Sequence, residues 1–167
     1  MNSNEEILKP LDVSGFSLLE LMVVVVIIGI LAAAAVPNMG GWLAKRELNS
    51  ASRVLYSHIQ QARSEAVRGN EIVKICFDTG TTPDSYIVIG NSSGIIIPQT
   101  SLPSNDLSFS SINFSGNATM ASNETGFDGR GLSLQSGSII ITSSKAPSAD
   151  NDRTITLSSG GSTSITP

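Results

Sequence analysis

A single cysteine, Cys76, excludes an intrachain disulfide. It lies in "EIVKICFD", where a small half-apolar strand residue is the ordinary reading and a reactive thiol the exceptional one. A single histidine, His58, has no neighbours of metal-ligating type, so a helix-surface role is expected and a metal centre is not. Charged residues make up only 14% of the chain and aromatics 5%. No Ser/His/Asp set, paired-carboxylate set or Gly-rich phosphate loop stands on a recognisable scaffold. An enzyme and a bound cofactor are therefore not expected. No repeat of 20 to 50 residues is visible. "SADND" has the look of a calcium loop, but Asp150 and Asp152 alone fall short of the six to eight oxygens that calcium takes. A solvated turn is expected there. Asn91, Asn113, Asn117 and Asn123 each begin an N-x-S/T triplet, which the Asn, Ser and Thr content of the chain accounts for.

What is present is unevenly placed. The 21 residues Phe16 to Val36 form a nearly pure apolar run. As a helix the run spans roughly 31 Å, close to a bilayer core of about 30 Å. Pro37 follows and would kink or end the helix, because it lacks an N–H and crowds the preceding turn. Beyond it, Leu48, Ala51, Leu55, Ile59, Ala62 and Ala66 recur at steps of three and four, the signature of one apolar stripe. Gly69-Asn70 is a C-cap signal, with Arg68 in the favourable last turn. The pattern predicts one long helix over 16–69, hydrophobic all round in its first half and amphipathic in its second.

From Glu71 onward the pattern is β. "EIVKICF" alternates, with Val73, Ile75 and Phe77 on one face. "SYIVIG" and "GIIIP" flank "NSS" as a hairpin. "LSFSSINFS", "LSLQSGSIIIT" and "RTITLSS" are weaker strands, and "SSGGSTSITP" has room for a final edge strand. "GTTPD", "PSND" and "ASNETG" are expected as turns. The fold class is α+β: a long N-terminal membrane-spanning helix, kinked near Pro37, packed on a mainly antiparallel β head that begins near Ile72.

Charge divides along the same line. From Leu43 to Asn70 five cations face two carboxylates, a net +3; from Glu71 onward four cations face eight carboxylates, a net −4. An acidic outer domain is a poor default binder of nucleic acid, since phosphate neutralisation supplies most non-specific affinity.

The apolar run holds one anomaly, Glu20. A carboxylate in hydrocarbon costs a few kcal/mol or more and marks function by default. No Lys or Arg lies within a helical turn or two of it. A cut between Gly15 and Phe16 would supply a partner, because the new α-amino group would sit four residues away, about one turn. That amine could meet its own Glu20 or the Glu20 of an adjacent copy, and the second arrangement would set the register of a stack of helices.

"GFSLLE" followed by an apolar run and Pro37 resembles the class III signal of type IV prepilins and type II secretion pseudopilins. The likeness covers about residues 14 to 40. It implies a leader, residues 1–15, that a prepilin peptidase removes after Gly15, and methylation of the Phe16 amine. It further implies a filament-core helix over 16–36, an amphipathic helix over 37–69, a periplasmic head over 70–167, and Glu20 as the assembly carboxylate. The implied fold is ladle-shaped. The implied setting is the bacterial inner membrane, with lipid, an assembly platform and other pilins as partners. The leader departs from the family's usual positive charge, since Glu5, Glu6 and Asp12 outweigh Lys9 and the amino terminus.

A second stretch, "ELNSASRVLYSHIQQARSEAVRGNEIVKICF", is similar to the helix-to-strand passage of the GspH/FimT group of minor pilins and pseudopilins. "FDGRG", Phe127 to Gly131, looks like that group's turn before a later strand. Some pilins of this group resemble DNA receptors with an Arg-bearing turn near the C-terminus. Here "LSSGGSTSITP" holds no Lys or Arg, and Arg130, Lys145 and Arg153 remain as the candidates for a phosphate-binding cluster. Nucleic acid is thus not the expected partner. Two other readings are a singly anchored periplasmic domain and a secretory signal cut at Ala33-x-Ala35. Glu20 beside "GF" speaks against both.

Overall fold

The structure, a computed structural model, describes residues 15–116 and 120–167, and within the helix it leaves the side chains of 34–38 undescribed. The expected leader up to Ser14, and Asn117, fall outside the described residues. The chain divides into two units, Met1–Pro37 and Asn38–Pro167. Helix α1, Leu18–Gly69, runs through that division and is helical across Pro37.

The fold is α+β, with α1 packed on antiparallel sheets. The helix ends as its sequence dictates. Asn70 adopts a positive φ of 47°. The Glu71 amide donates to Ala66 O at 3.1 Å and the Asn70 amide to Val67 O at 3.4 Å. This is a Schellman closure, and asparagine tolerates the left-handed conformation it needs. The Glu71 carboxylate then accepts from the amides of Ser92 and Ser93 and from the Ser93 hydroxyl, tying the helix end to the next hairpin.

Strand β1 is Val73–Asp78, β2 is Ser85–Gly90 and β3 is Gly94–Ser101. They are followed by β4, Leu107–Ser115, and β5, Glu124–Phe127. The last three are β6, Ser136–Ser143, β7, Asp152–Leu157, and β8, Thr163–Thr166. They form two four-stranded sheets, ordered β3-β2-β1-β5 and β4-β6-β7-β8. Every pairing is antiparallel.

Three layers of side chains meet in the core. The helix stripe Leu48, Ala51, Leu55, Ile59, Ala62 and Ala66 is buried, as its spacing predicts. Val73, Ile75 and Phe77 come from one face of β1, as alternation predicts. Phe109, Phe114, Ile139, Ile141 and Ile155 come from the second sheet. Phe77 joins the two sheets: its ring lies 5.5 Å from Phe109, edge-on, and 5.9 Å from Phe114, stacked. At about 25 cal/mol per Å² of apolar area, each fully buried Leu, Ile or Phe here contributes roughly 1.5–3 kcal/mol.

Two expectations need correction. "ASNETG" is not wholly a turn, since Glu124, Thr125 and Gly126 belong to β5, the edge strand beside β1. Gly126 reads as a turn residue, but it is in the strand because the backbones approach closely. A Cβ there would overlap the Val73 carbonyl oxygen and come within 3.1 Å of Lys74 Cα. In "LSLQSGSIIIT" only the part from Ser136 is strand, while Ser133 makes an isolated bridge to Phe127. The edge strand for which "SSGGSTSITP" has room is β8.

Candidate assembly site and the cations of the head

The candidate site lies at the start of α1. Gly15 and Phe16 precede the helix and are exposed, Phe16 at 86%. The Ser17 hydroxyl accepts the Leu19 amide at 3.2 Å, and Ser17 O accepts the Leu21 amide at 3.1 Å. Ser17 is therefore the N-cap and Glu20 the third helical residue, the spacing of a capping box. Glu20 sits in the first turn, where the helix dipole favours a negative charge. S-x-x-E ahead of an apolar run is the sequence signal for this cap, and Ser17 is the functional residue that the GF…E motif alone does not single out.

From Leu18 to Leu31 every large apolar side chain is about half exposed or more, on all sides of the helix. No described cation pairs with Glu20. Among the described residues, no helix is long and apolar enough to cross a membrane. The sequence run Phe16–Val36 takes in Ala34, Ala35 and Val36, whose side chains lie outside that set.

The three head cations offered as a phosphate cluster are each held by a carboxylate. Arg130 pairs with Asp128 at 3.0 Å and Lys145 with Asp106 at 2.7 Å. Arg153 is buried, bonds Asn49 Oδ1 at 2.7 Å, and pairs with Asp150 at 2.5 Å. Lys45 reaches the other oxygen of Asp150. The "SADND" turn is thus a tie between α1 and the β6–β7 loop. Hydrogen bonds from Lys45 and then Arg153 hold the Asp150 carboxyl below its ordinary range, so its oxygens are already engaged. The "FDGRG" turn is organised by Asp128, whose Oδ1 accepts the amides of Arg130 and Leu132, each at 2.9 Å.

The remaining candidates are structural in their surroundings. Burial, with Glu124 alongside, pushes the Cys76 thiol up and away from thiolate chemistry. His58 is not a plain surface residue. It is half-buried, and its Nδ1 lies 2.8 Å from the Tyr86 hydroxyl of β2. Among the described residues, no group of three or more His, Cys, Asp or Glu is placed to hold a metal ion.

Residues 51–161 match the family described as type II transport protein GspH. Residues 12–36 match the prokaryotic N-terminal methylation motif. The chain belongs to the GspH family, a family of structural pilin and pseudopilin subunits. Among solved structures, it resembles the type IV minor pilin FimU of Pseudomonas aeruginosa at 18% identity and a TM-score of 0.50, over 73% of this chain and 90% of that one. It also resembles the minor pseudopilin EpsH from the type 2 secretion system of Vibrio cholerae at 13% identity and a TM-score of 0.53, over 72% and 96%. These likenesses concern the fold. Two curated Pseudomonas aeruginosa sequences, both called fimbrial protein, are each 38% identical to it over 76 residues. The match covers 46% of this chain and 47% of the relative, so the chain spans about half the length of the curated relatives it matches.

Proposed function

We propose that this chain is a non-enzymatic minor subunit of a pilus-like filament, a type IV pilus or a type II secretion pseudopilus. A prepilin peptidase cuts between Gly15 and Phe16, removes residues 1–15, and the freed Phe16 amine is methylated. Residues 16–36 hold the subunit in the inner membrane with its head in the periplasm, and an assembly platform then draws it into the filament. There Glu20 meets the amine of an adjacent subunit and sets its register.

The observation that carries this reading is the first half of α1. It is apolar on every side, its large apolar side chains are exposed, and it bears one carboxylate. Such a helix has to be buried by lipid or by other helices. A lone carboxylate in that setting needs a cation, and the amine four residues upstream is within reach once the leader is gone. The head supports a subunit role over DNA capture, since Arg130, Lys145 and Arg153 already spend their charge on Asp128, Asp106 and Asp150.

The test is Glu20→Ala in the producing strain. Membrane insertion and leader removal should persist, whereas the amount recovered in sheared filaments should fall severalfold. Wild-type amounts in the filaments would refute the role of Glu20. A deletion strain scored for both surface pili and secreted enzymes assigns the system.

A further inference from the structure

We propose that the face of α1 just beyond the apolar run, centred on Trp42 and Arg46, is a docking surface for the anionic headgroups of the bilayer. This rests on the membrane-anchored reading above and adds a named surface to it. Trp42, Lys45, Arg46, Asn49, Ser50 and Arg53 line an open groove of about 490 Å³. The Arg46 guanidinium stands 5.7 Å from the centre of the Trp42 ring. Lys45 is engaged with Asp150, but neither Arg46 nor Arg53 forms an ion pair with a described residue. Arg130, Lys145 and Arg153 on the head are paired, so their charge is spent where that of Arg46 is not.

The apolar rim says what kind of partner the unspent charge fits. Met39, Trp42 and Leu43 are 63%, 58% and 60% exposed. An indole with its N–H at one end suits the boundary where hydrocarbon meets headgroups, and tryptophan concentrates there. Guanidinium forks suit phosphate oxygens, and their stems lie along apolar surface. Trp42 follows the apolar run by six positions, about 9 Å of helical rise, and Arg46 by ten, about 15 Å; the ring therefore stands at the outer edge of the headgroups, and the Arg46 side chain leans back along the helix toward it. The occupant is therefore an anionic phospholipid surface. A neighbouring subunit's acidic head is the competing occupant.

The chain carries its own reporter, because Trp42 is its only tryptophan. The full chain is reconstituted into vesicles of phosphatidylcholine alone or of an equal mixture with phosphatidylglycerol. Trp42 emission is then read together with quenching by acrylamide and by lipids spin-labelled near the glycerol. With the anionic lipid, emission should shift to the blue, acrylamide quenching should drop and spin-label quenching should rise. High salt should reverse part of the change. Arg46→Gln, at an exposed site, should abolish the dependence on phosphatidylglycerol while the chain still floats with the vesicles. Flotation with identical Trp42 signals in the two lipids overturns the proposal and leaves the membrane reading standing. So does a signal that follows the protein-to-lipid ratio instead of lipid charge, which would assign the face to a neighbouring subunit. A chain that fails to float overturns both readings.

Discussion

Two halves of one helix follow opposite rules. In Leu18–Leu31 the large apolar residues occupy every side and all are exposed. In Asn38–Gly69 the apolar residues are sparser, but Leu48, Leu55, Ile59, Ala62 and Ala66 fall on one stripe and are buried. The second half is the less hydrophobic, yet it is the half that this chain's own core secures. Hydrophobicity alone says that a surface must be covered; only its angular distribution says whether the covering comes from the same chain. A stripe fits one sheet packing, whereas a surface apolar all round needs surroundings on all sides.

The sharpest way to break this comparison is one substitution in each half. Leu55→Asp puts an unpaired carboxylate at a fully buried site among apolar groups. The cost is about 3–5 kcal/mol or more, a large part of a domain's stability, so the head should unfold or become sensitive to protease. Val26→Asp, at an exposed site, should leave the melting of the head unchanged and act only on membrane or filament burial. Thermal melting and limited proteolysis of both variants in detergent check the pair. Equal destabilisation would remove the distinction.

The same contrast explains what the sequence made legible. Periodicity revealed the buried stripe of α1, the inward face of β1 and the hairpin of β2 and β3, because each is set by neighbours close along the chain. Glu20 stood out because a carboxylate conflicts with its surroundings. What escaped depends on distant partners. Gly126 looks like a turn until Val73 is seen packed against it. Arg153 looks like a free cation until Asn49, 104 positions away, is seen bonded to it. Ser17 is different, for its capping role was readable from S-x-x-E and was overshadowed by Glu20 itself.

Gly126 offers the next test. A methyl group there presses on the backbone of β1, which has no side chain to swing aside. Gly126→Ala should cost about 1–3 kcal/mol and loosen β5 from β1. Faster amide hydrogen exchange at β5 than at β6 checks it, and unchanged exchange would show that the sheet edge accommodates the methyl.

A smaller effect is expected where α1 is tied to the β6–β7 loop. Arg153→Ala removes a buried guanidinium that bonds Asn49 Oδ1 and Asp150. Asp150 keeps Lys45, so no carboxylate is stranded, and the loss should be about 1–2 kcal/mol. Because its partners depress the folded pKa of Asp150, the contribution of this carboxylate is present above the ordinary value of 3.8 and is lost as pH falls through the lower folded value. The variant should show a shallower acid limb in its melting temperature. A decline as steep as that of the wild type would detach the acid sensitivity from this tie.

The smallest effect is expected at the margin of the buried stripe, at His58. Burial lowers its pKa below the ordinary 6.5. Its Nδ1 faces the Tyr86 hydroxyl at 2.8 Å, and burial pushes the Tyr86 phenol up to about 12, so the phenol stays protonated across the neutral range. The neutral ring meets the hydroxyl in one of two ways: with its proton on Nε2 it accepts from the Tyr86 O–H, and with its proton on Nδ1 it donates to the phenol oxygen. A proton taken up by His58 must enter a half-buried ring, and in the imidazolium Nδ1–H necessarily donates to the phenol oxygen. The unfolded chain accepts that proton first, starting near 6.5. The sign follows: the contribution of His58 is fully present above 6.5 and declines as pH falls through its lower folded value. His58→Gln keeps a hydrogen-bonding side chain and removes the titration. Its melting temperature should therefore change less than that of the wild type between neutral and mildly acidic buffer, with little difference between the two proteins at neutral pH. Parallel curves over that interval would show that the half-buried imidazole is solvated well enough to titrate at no cost to the fold.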